Sequence, residues 1–333
     1  MRALLILLLP RLLLTQPASE DPPVDVSFPP RPGVPSTLTL ERVRGAARNG
    51  SPPHLYQLGL YQFYGAGVPQ DRIAALTSFR AASDAGHGPA ALALALLLDA
   101  GGEPAHALTH YARAGEAGEL EALLRAGVLL FEGRAEPPPG SSLPRLEEAA
   151  RLLRRAADAG YGPAFSPLGL MHEYGAAPGG RDFAAAERAY RRGCEGGGAG
   201  AARSVGEAPD AEACYNWGLM VAFGRAPTAP PRGDGFAAAA ALFHRAVAAR
   251  GGAGHAPSRL MLGKMAANGQ GMPVDFDAAL AHYAAARDSG DARVSGDAAR
   301  AYETLEPLVA EAKQGLADTL EAMAEGMRQR PEL

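Results

Sequence analysis

A repeating pair of small residues runs through most of the chain and constrains its fold more than any other feature. Six pairs in which a glycine or alanine is followed six residues later by glycine recur along the chain, and successive pairs of this series begin 32 to 49 residues apart. The pairs are Gly59/Gly65, Ala95/Gly101, Gly127/Gly133, Gly169/Gly175, Gly218/Gly224 and Gly263/Gly269. Spacing of this kind predicts stacked copies of one supersecondary unit with insertions between them.

A second landmark lies downstream in each copy, where Phe, Tyr or Leu is followed by glycine about two helical turns later. The pairs seven residues apart are Phe79/Gly86, Tyr111/Gly118, Leu153/Gly160, Tyr190/Gly197 and Tyr283/Gly290, and Phe243/Gly251 is one residue longer. Glycine readily takes the left-handed conformation that ends a helix. Each copy is therefore predicted to contain two helices, the first ending near the paired glycines and the second at the terminal glycine.

The first and last copies share further residues, among them Leu58-Gly59 with Gly65-Ala66-Gly67-Val68 and Leu262-Gly263 with Gly269-Gln270-Gly271. This pattern resembles the Sel-1-like repeat family, a relative of the tetratricopeptide repeats, over about residues 55–291. The resemblance implies an all-α, right-handed α-solenoid of about six helix-loop-helix repeats that binds other proteins through its concave face. The repeat glycines expected to be structural are Gly59, Gly65, Gly67, Gly86, Gly118, Gly160, Gly169, Gly218, Gly263, Gly269, Gly271 and Gly290.

The chain divides into four predicted segments. Residues 1–18 resemble a signal peptide, because Arg2 precedes a leucine-rich run too short to cross a bilayer; a mispredicted start or an organellar presequence are the alternatives. Residues 19–50 read as a proline-rich linker and residues 51–291 as the repeats. Residues 292–333 are predicted to form a C-terminal helical cap that breaks at Pro307 and Gly315, with a dimerising helix as the alternative.

Composition narrows the choice of partners. The 333-residue chain is 47% hydrophobic and 20% charged, which is enough apolar material for a packed core. Its 32 basic and 36 acidic residues give a net charge of -4, so no strong basic field is available for a nucleic-acid backbone. We expect no nucleic-acid partner, no cofactor and no membrane span in the mature chain, and the pattern leaves the oligomeric state open.

Two features bear on the compartment. Cys194 and Cys214 lie at the end of the fourth copy and in the first helix of the fifth, which are neighbouring elements of a solenoid. Either they form a disulfide in an oxidising compartment or they are two unpaired structural cysteines. Asn49-Gly50-Ser51 matches the N-glycosylation pattern, although Pro52 follows it directly.

No set of residues has the spacing of a catalytic or metal site. His106 and His110 lie four residues apart on a predicted helix, as two metal ligands can, but His110 precedes the repeat aromatic Tyr111 just as His282 precedes Tyr283. The repeat itself therefore explains the position of His110. We predict no catalytic residues, no metal ligands and no enzyme activity.

The leading functional prediction is a non-enzymatic interaction scaffold or adaptor in the secretory pathway. The family resemblance, together with the predicted signal peptide, implies a role in endoplasmic-reticulum-associated degradation as its specific form. A secreted or periplasmic repeat protein that binds envelope or host proteins is the alternative, and the cytoplasm is the alternative location. A hydrolase that uses His172 and Glu173 is a remote third hypothesis.

Overall fold

The computed structural model describes residues 31–137, 142–196, 209–228, 235–249 and 254–328, and within them the secondary structure is helical throughout. The predicted signal peptide, residues 1–18, lies outside the described residues. The helices are α1 Thr37–Arg48, α2 Pro52–Tyr64, α3 Arg72–Asp84, α4 Gly88–Ala100, α5 Pro104–Glu116, α6 Leu120–Glu132, α7 Arg145–Asp158, α8 Phe165–Tyr174, α9 Phe183–Cys194, α10 Ala211–Ala222, α11 Gly235–Ala249, α12 Ala256–Asn268, α13 Phe276–Arg287 and α14 Ser295–Arg328.

The described residues form two compact units, one ending at Asp182 and the other beginning at Phe183. Consecutive helices pack against each other within each unit: α2 on α3, α4 on α5 and α6 on α7 in the first, α10 on α11 and α12 on α13 in the second. Together with α8 and α9, these helices account for the six predicted copies. The predicted all-α architecture of packed helix pairs is therefore confirmed.

The first glycine of several landmark pairs permits close helix packing. A Cβ atom added to Gly59 would lie 2.6 Å from the ring of Phe79, and one added to Gly263 would lie 2.5 Å from the ring of Tyr283. A Cβ atom added to Gly218 would likewise lie 2.7 Å from the ring of Phe243. Gly169 is buried in α8. Each aromatic ring thus occupies the space that a side chain on the preceding helix would need.

The other repeat glycines end or follow helices. Gly65 ends α2 with a φ of 68°, a left-handed conformation that other residues adopt only at a cost. Positive φ values recur at the matching positions, namely Gly67, Gly86, Gly118, Gly160, Gly269, Gly271 and Gly290.

The predicted proline-rich linker is wrong in its second half, where the structure has α1. The prolines stop at Pro35, and the side chain of Ser36 accepts a hydrogen bond from the Thr39 amide at 3.2 Å, which caps the helix. Leu40 and Val43 then lie three residues apart on one face and are buried in a cluster with Tyr61 of α2. This apolar face is what turns the segment into part of the first unit.

The predicted breaks at Pro307 and Gly315 are also wrong, because α14 runs through both. A proline inside a helix loses its amide hydrogen bond and crowds the carbonyl four residues before it, but the surrounding Glu, Leu and Ala residues favour helix, and α14 continues. The first part of α14 packs on α13: Ala298 is buried in a cluster with Tyr283, and Leu305 packs against that cluster. Among the described residues, none of the helices is both long and apolar enough to cross a membrane.

Candidate protein-binding groove

The second unit contains an open groove of about 400 Å³ between α9, α10 and α11. Its apolar floor consists of Val221, Ala238, Ala241 and Leu242. Its polar wall consists of Glu187 and Arg191 from α9, Trp217 from α10, Thr228 from the segment after α10, and Arg245 from α11. The groove thus combines an apolar surface with two guanidinium groups and an indole, a composition suited to a protein segment.

Glu187 is already satisfied by neighbouring residues. Its side chain is 3% exposed and accepts a hydrogen bond from the Thr228 amide at 3.1 Å, and the Thr228 hydroxyl donates to it as well. Arg191 lies 3.4 Å from the same carboxylate and donates to the Thr228 hydroxyl at 2.8 Å. These bonds hold the segment after α10 against α9, so that Thr228 forms one edge of the groove.

Arg191 also stacks on Trp217. The guanidinium carbon lies 5.2 Å from the centre of the indole ring, within the range of a cation-π contact. The Arg191 Nε and Trp217 Nε1 donors are both buried, and neither has a hydrogen-bond acceptor in the described part of the chain. Because these two atoms are shielded from solvent, a ligand in the groove would meet the rest of the Arg191 side chain, which is 40% exposed, and the half-buried indole.

Arg245 adds a positive charge at the α11 side of the groove. Its side chain is exposed, and the described residues supply no ion pair to it. Among the described lining residues, Glu187 is engaged by Thr228 and Arg191, so they offer positive charge and donors but no further carboxylate. A carboxylate or a backbone carbonyl is the complementary group.

A second polar cluster in the same unit has a structural role. His255 precedes α12, its Nδ1 accepts a hydrogen bond from the Ser258 amide at 3.3 Å, and its Nε2 lies 2.9 Å from Glu212. Arg293 lies 3.2 Å from Glu212 and 2.8 Å from Asp291. The cluster links α10, the start of α12 and the segment before α14, and so it connects successive copies.

The same histidine cap occurs in the first unit. His87 precedes α4, its Nδ1 accepts a hydrogen bond from the Ala90 amide at 3.2 Å, and its ring lies 5.1 Å from that of Tyr56. In the second unit the ring of Tyr215 lies 5.3 Å from that of His255, so this pair corresponds to Tyr56 and His87. Burial lowers the pKa of His87. These histidines are therefore explained by the repeat.

The structure joins Cys194 to Cys214 in a disulfide, with their Cα atoms 4.6 Å apart and both side chains fully buried. Asn49 is exposed directly after α1, and the Ser51 hydroxyl of its motif lies 2.7 Å from Nδ1 of His54. The cysteines brace α9 against α10, the same two helices that carry Arg191 and Trp217. The disulfide therefore helps to set the spacing of the groove wall.

The remaining histidines that were considered as site residues do not come together in one site. His106 is exposed and lies 3.0 Å from Glu103, whereas the pKa of His110 is lowered, chiefly by burial. His172 and Glu173 are adjacent on α8, and Glu173 is buried. Among the residues that the structure describes, no three metal-binding side chains lie close enough together to hold a metal ion.

Sequence reasoning missed the groove. Trp217 is the single tryptophan of the chain, and this is the one sequence feature that could have drawn attention to it. Glu187 and Thr228 are 41 residues apart, with two insertions near or between them. No local pattern relates two residues at that separation.

The fold and the groove together define an all-α helix-pair repeat protein with a candidate surface for protein segments. Comparison with protein-family models and with curated protein sequences gives no match. Among solved structures, the chain is similar to a Sel1 repeat protein from Oxalobacter formigenes, with a TM-score of 0.59 and 26% identity over 78% of this chain and 68% of that chain. The chain has the Sel1-repeat fold.

A second solved structure of this fold is similar over much of the chain. It is a protective antigen of uropathogenic Escherichia coli displaying an SLR fold, with a TM-score of 0.58 and 23% identity. The match covers 75% of this chain and 49% of that one, so this chain spans about half the length of the antigen it matches. At this identity the likeness describes the fold alone.

Proposed function

We propose that this protein is a non-catalytic interaction scaffold that binds protein segments in the groove lined by Trp217. The observation that carries the proposal is that Arg191, Trp217 and Arg245 line one groove together with an apolar floor. The Sel1-repeat fold supports it, because helix-pair repeats present extended surfaces and serve widely in binding.

The groove chemistry indicates the kind of segment. An apolar side chain fits against Val221 and Leu242, while a carboxylate fits beside Arg191 and Arg245. We therefore expect segments that combine an acidic residue with a bulky apolar one. Basic segments should bind weakly, because the only carboxylate among the described lining residues is already bonded to Thr228 and Arg191.

The single tryptophan makes the test direct. Peptides selected from a random display library on the full chain should share an acidic-apolar pattern and should change the fluorescence of Trp217 on binding. Arg245→Ala should weaken the selected peptides by about two- to fivefold, since it removes an exposed charge from the groove. Arg191→Ala should weaken them further, although it also disturbs the contact with Glu187.

Arg225→Ala is the matched control, because Arg225 stacks on Phe223 at 5.4 Å and is not part of the groove lining. It should leave the affinity unchanged. Selected peptides that bind Arg245→Ala and the unchanged chain equally well, without a change in Trp217 fluorescence, would overturn the proposal.

We further propose that the chain acts in an oxidising compartment of the secretory pathway. The buried Cys194–Cys214 disulfide supports this, because such bonds persist mainly outside the cytosol. The mass of the chain purified from its own cells should show the bond and the loss of about 18 N-terminal residues. An uncut chain with two free thiols would contradict it. A role in endoplasmic-reticulum-associated degradation stays a prediction from the family resemblance, as does the alternative of a secreted or periplasmic protein.

A further inference from the structure

The far part of α14 is an isolated helix surface. Every residue from 310 to 323 is exposed, including three large apolar side chains, Leu316 at 61%, Leu320 at 57% and Met323 at 56%. Lys313 of α14 lies 2.6 Å from Asp277 near the start of α13, so residues beyond Lys313 extend past the end of that neighbour. Large apolar residues clustered on one exposed helix usually mark an interface.

The exposed apolar residues of α14 lie on the same helix face that, closer to its start, packs against α13. Ala298 and Leu305 of α14 pack against the α13 cluster, and the steps of three and four residues lead from there to Val309, Ala312 and Leu316. The same face then includes Thr319, Leu320 and Met323. One continuous stripe therefore packs on the last repeat at its beginning, and at its end no residue in the described part of the chain covers it.

Charge is kept off this stripe. The acidic residues of the exposed part, Glu311, Asp318, Glu321 and Glu325, lie on the other side of the helix by the helical period. Lys313, at the edge of the stripe, is paired with Asp277. Two such stripes can approach each other without burying a charge.

The stripe is also complementary to itself. Large residues, Leu316 and Met323, alternate with small ones, Ala312 and Thr319, at seven-residue spacing. In an antiparallel pair with a two-fold axis between Ala317 and Asp318, Leu316 meets Thr319 of the second copy, and Met323 meets Ala312 of the second copy. A parallel pair would set large against large and small against small, which leaves gaps between tight layers.

We propose that α14 joins two copies of this chain as an antiparallel, two-fold symmetric helix pair through Ala312, Leu316, Thr319, Leu320 and Met323. The inference rests on α14 and is independent of the Trp217 groove. A symmetric pair of this kind is the commonest form of homo-oligomer.

Light scattering on the full chain at micromolar concentration tests the pairing. The chain should have twice its monomer mass, and Leu316→Glu/Leu320→Glu should halve that mass, because it places charges on the stripe. Ala310→Glu/Ala317→Glu adds the same two charges to the opposite face and should leave the dimer intact. A monomeric unchanged chain overturns the proposal, and so does a dimer that survives Leu316→Glu/Leu320→Glu.

Spin-label distances test the orientation. Because the native cysteines are bonded to each other, Ala310→Cys or Glu321→Cys supplies a single free thiol for labelling. In the antiparallel pair the two labels at 310 are offset by about 22 Å along the axis, and those at 321 by about 10 Å. The distance at 310 should therefore be clearly the longer. Equal distances at the two sites would indicate a parallel pair and overturn the proposed arrangement.

Discussion

Nε2 of His255 lies 2.9 Å from the Glu212 carboxylate, and the imidazole is only 1% exposed. Because Nδ1 of His255 accepts a hydrogen bond from the Ser258 amide, Nε2 is the nitrogen that donates to Glu212. Burial acts to raise the pKa of Glu212, but the hydrogen bonds from His255 and Arg293 and the positive charge of Arg293 outweigh it, so the pKa is lowered. Glu212 therefore favours its charged form in the folded chain.

This relationship predicts an acid-sensitive second unit. A carboxyl group whose pKa is lower in the folded state contributes stability above its ordinary pKa of 4.5 and loses that contribution as the pH falls through the lowered value. The pKa of Asp291 is also lowered: burial raises it, but bonds and charge from Arg293 outweigh that effect. Unfolding free energy should therefore fall as the pH drops below about 4.5.

Glu212→Gln tests that prediction. Since the side chain is about a third exposed, we expect a loss of about 1–2 kcal/mol at neutral pH. Denaturant unfolding at neutral and acid pH should also show a smaller acid-induced loss than in the unchanged chain. Glu311→Gln, on the exposed part of α14, should leave both quantities unchanged. An acid-induced loss of the same size in Glu212→Gln would contradict the assignment.

The disulfide predicts a second stability effect. Cys194 and Cys214 close a loop with a sequence separation of 20, and a cross-link of that length stabilises by about 3 kcal/mol through the unfolded state. Cys194→Ala/Cys214→Ala keeps the buried sites apolar and should lower the unfolding free energy by about that amount. The reduced, unchanged chain should behave like this variant. A double variant as stable as the oxidised chain would show that the bond has no stabilising role.

The repeat glycines predict opposite effects of one substitution at two sites. Gly263→Ala should destabilise by about 1–3 kcal/mol, because the new Cβ would lie 2.5 Å from the ring of Tyr283. Gly315→Ala should stabilise by about 0.5–1 kcal/mol, because it lies inside α14 with nothing within 4 Å. Thermal unfolding of the two variants decides the matter. Similar shifts at both sites would mean that ring contact is not what selects glycine in the repeat.

Pro307 predicts a gain on substitution. It lies inside α14, where it removes one backbone hydrogen bond, so Pro307→Ala should increase the helical circular dichroism signal and raise stability by up to about 3 kcal/mol. Pro104→Ala is the control, because Pro104 lies at the first position of α5, where no amide bond is lost. If both variants behave alike, the proline does not strain α14.

Local patterns carried the prediction of the repeat fold. Gly59 and Phe79 mark two packed helices, and Gly65 and Gly86 mark where those helices end, all within a short stretch of chain. Where local rules compete, the prediction failed. Proline usually breaks a helix, which predicted a break at Pro307, but the helix-forming residues around it keep α14 continuous. The high proline content up to Pro35 led to the prediction of a linker, although the residues that follow have the apolar face of α1.

The sequence by itself determined the number of copies and the two-helix composition of each, because helix periodicity and left-handed glycines act over a few residues. Only the tertiary structure decided which side chains meet. Glu187 reaches Thr228 across 41 residues, and His255 reaches Glu212 across 43, over insertions of no fixed length. Such pairs have no local pattern, because their distance depends on how whole helices stack. The groove at Trp217 and the exposed apolar stripe of α14 could be identified only from the way the helices stack.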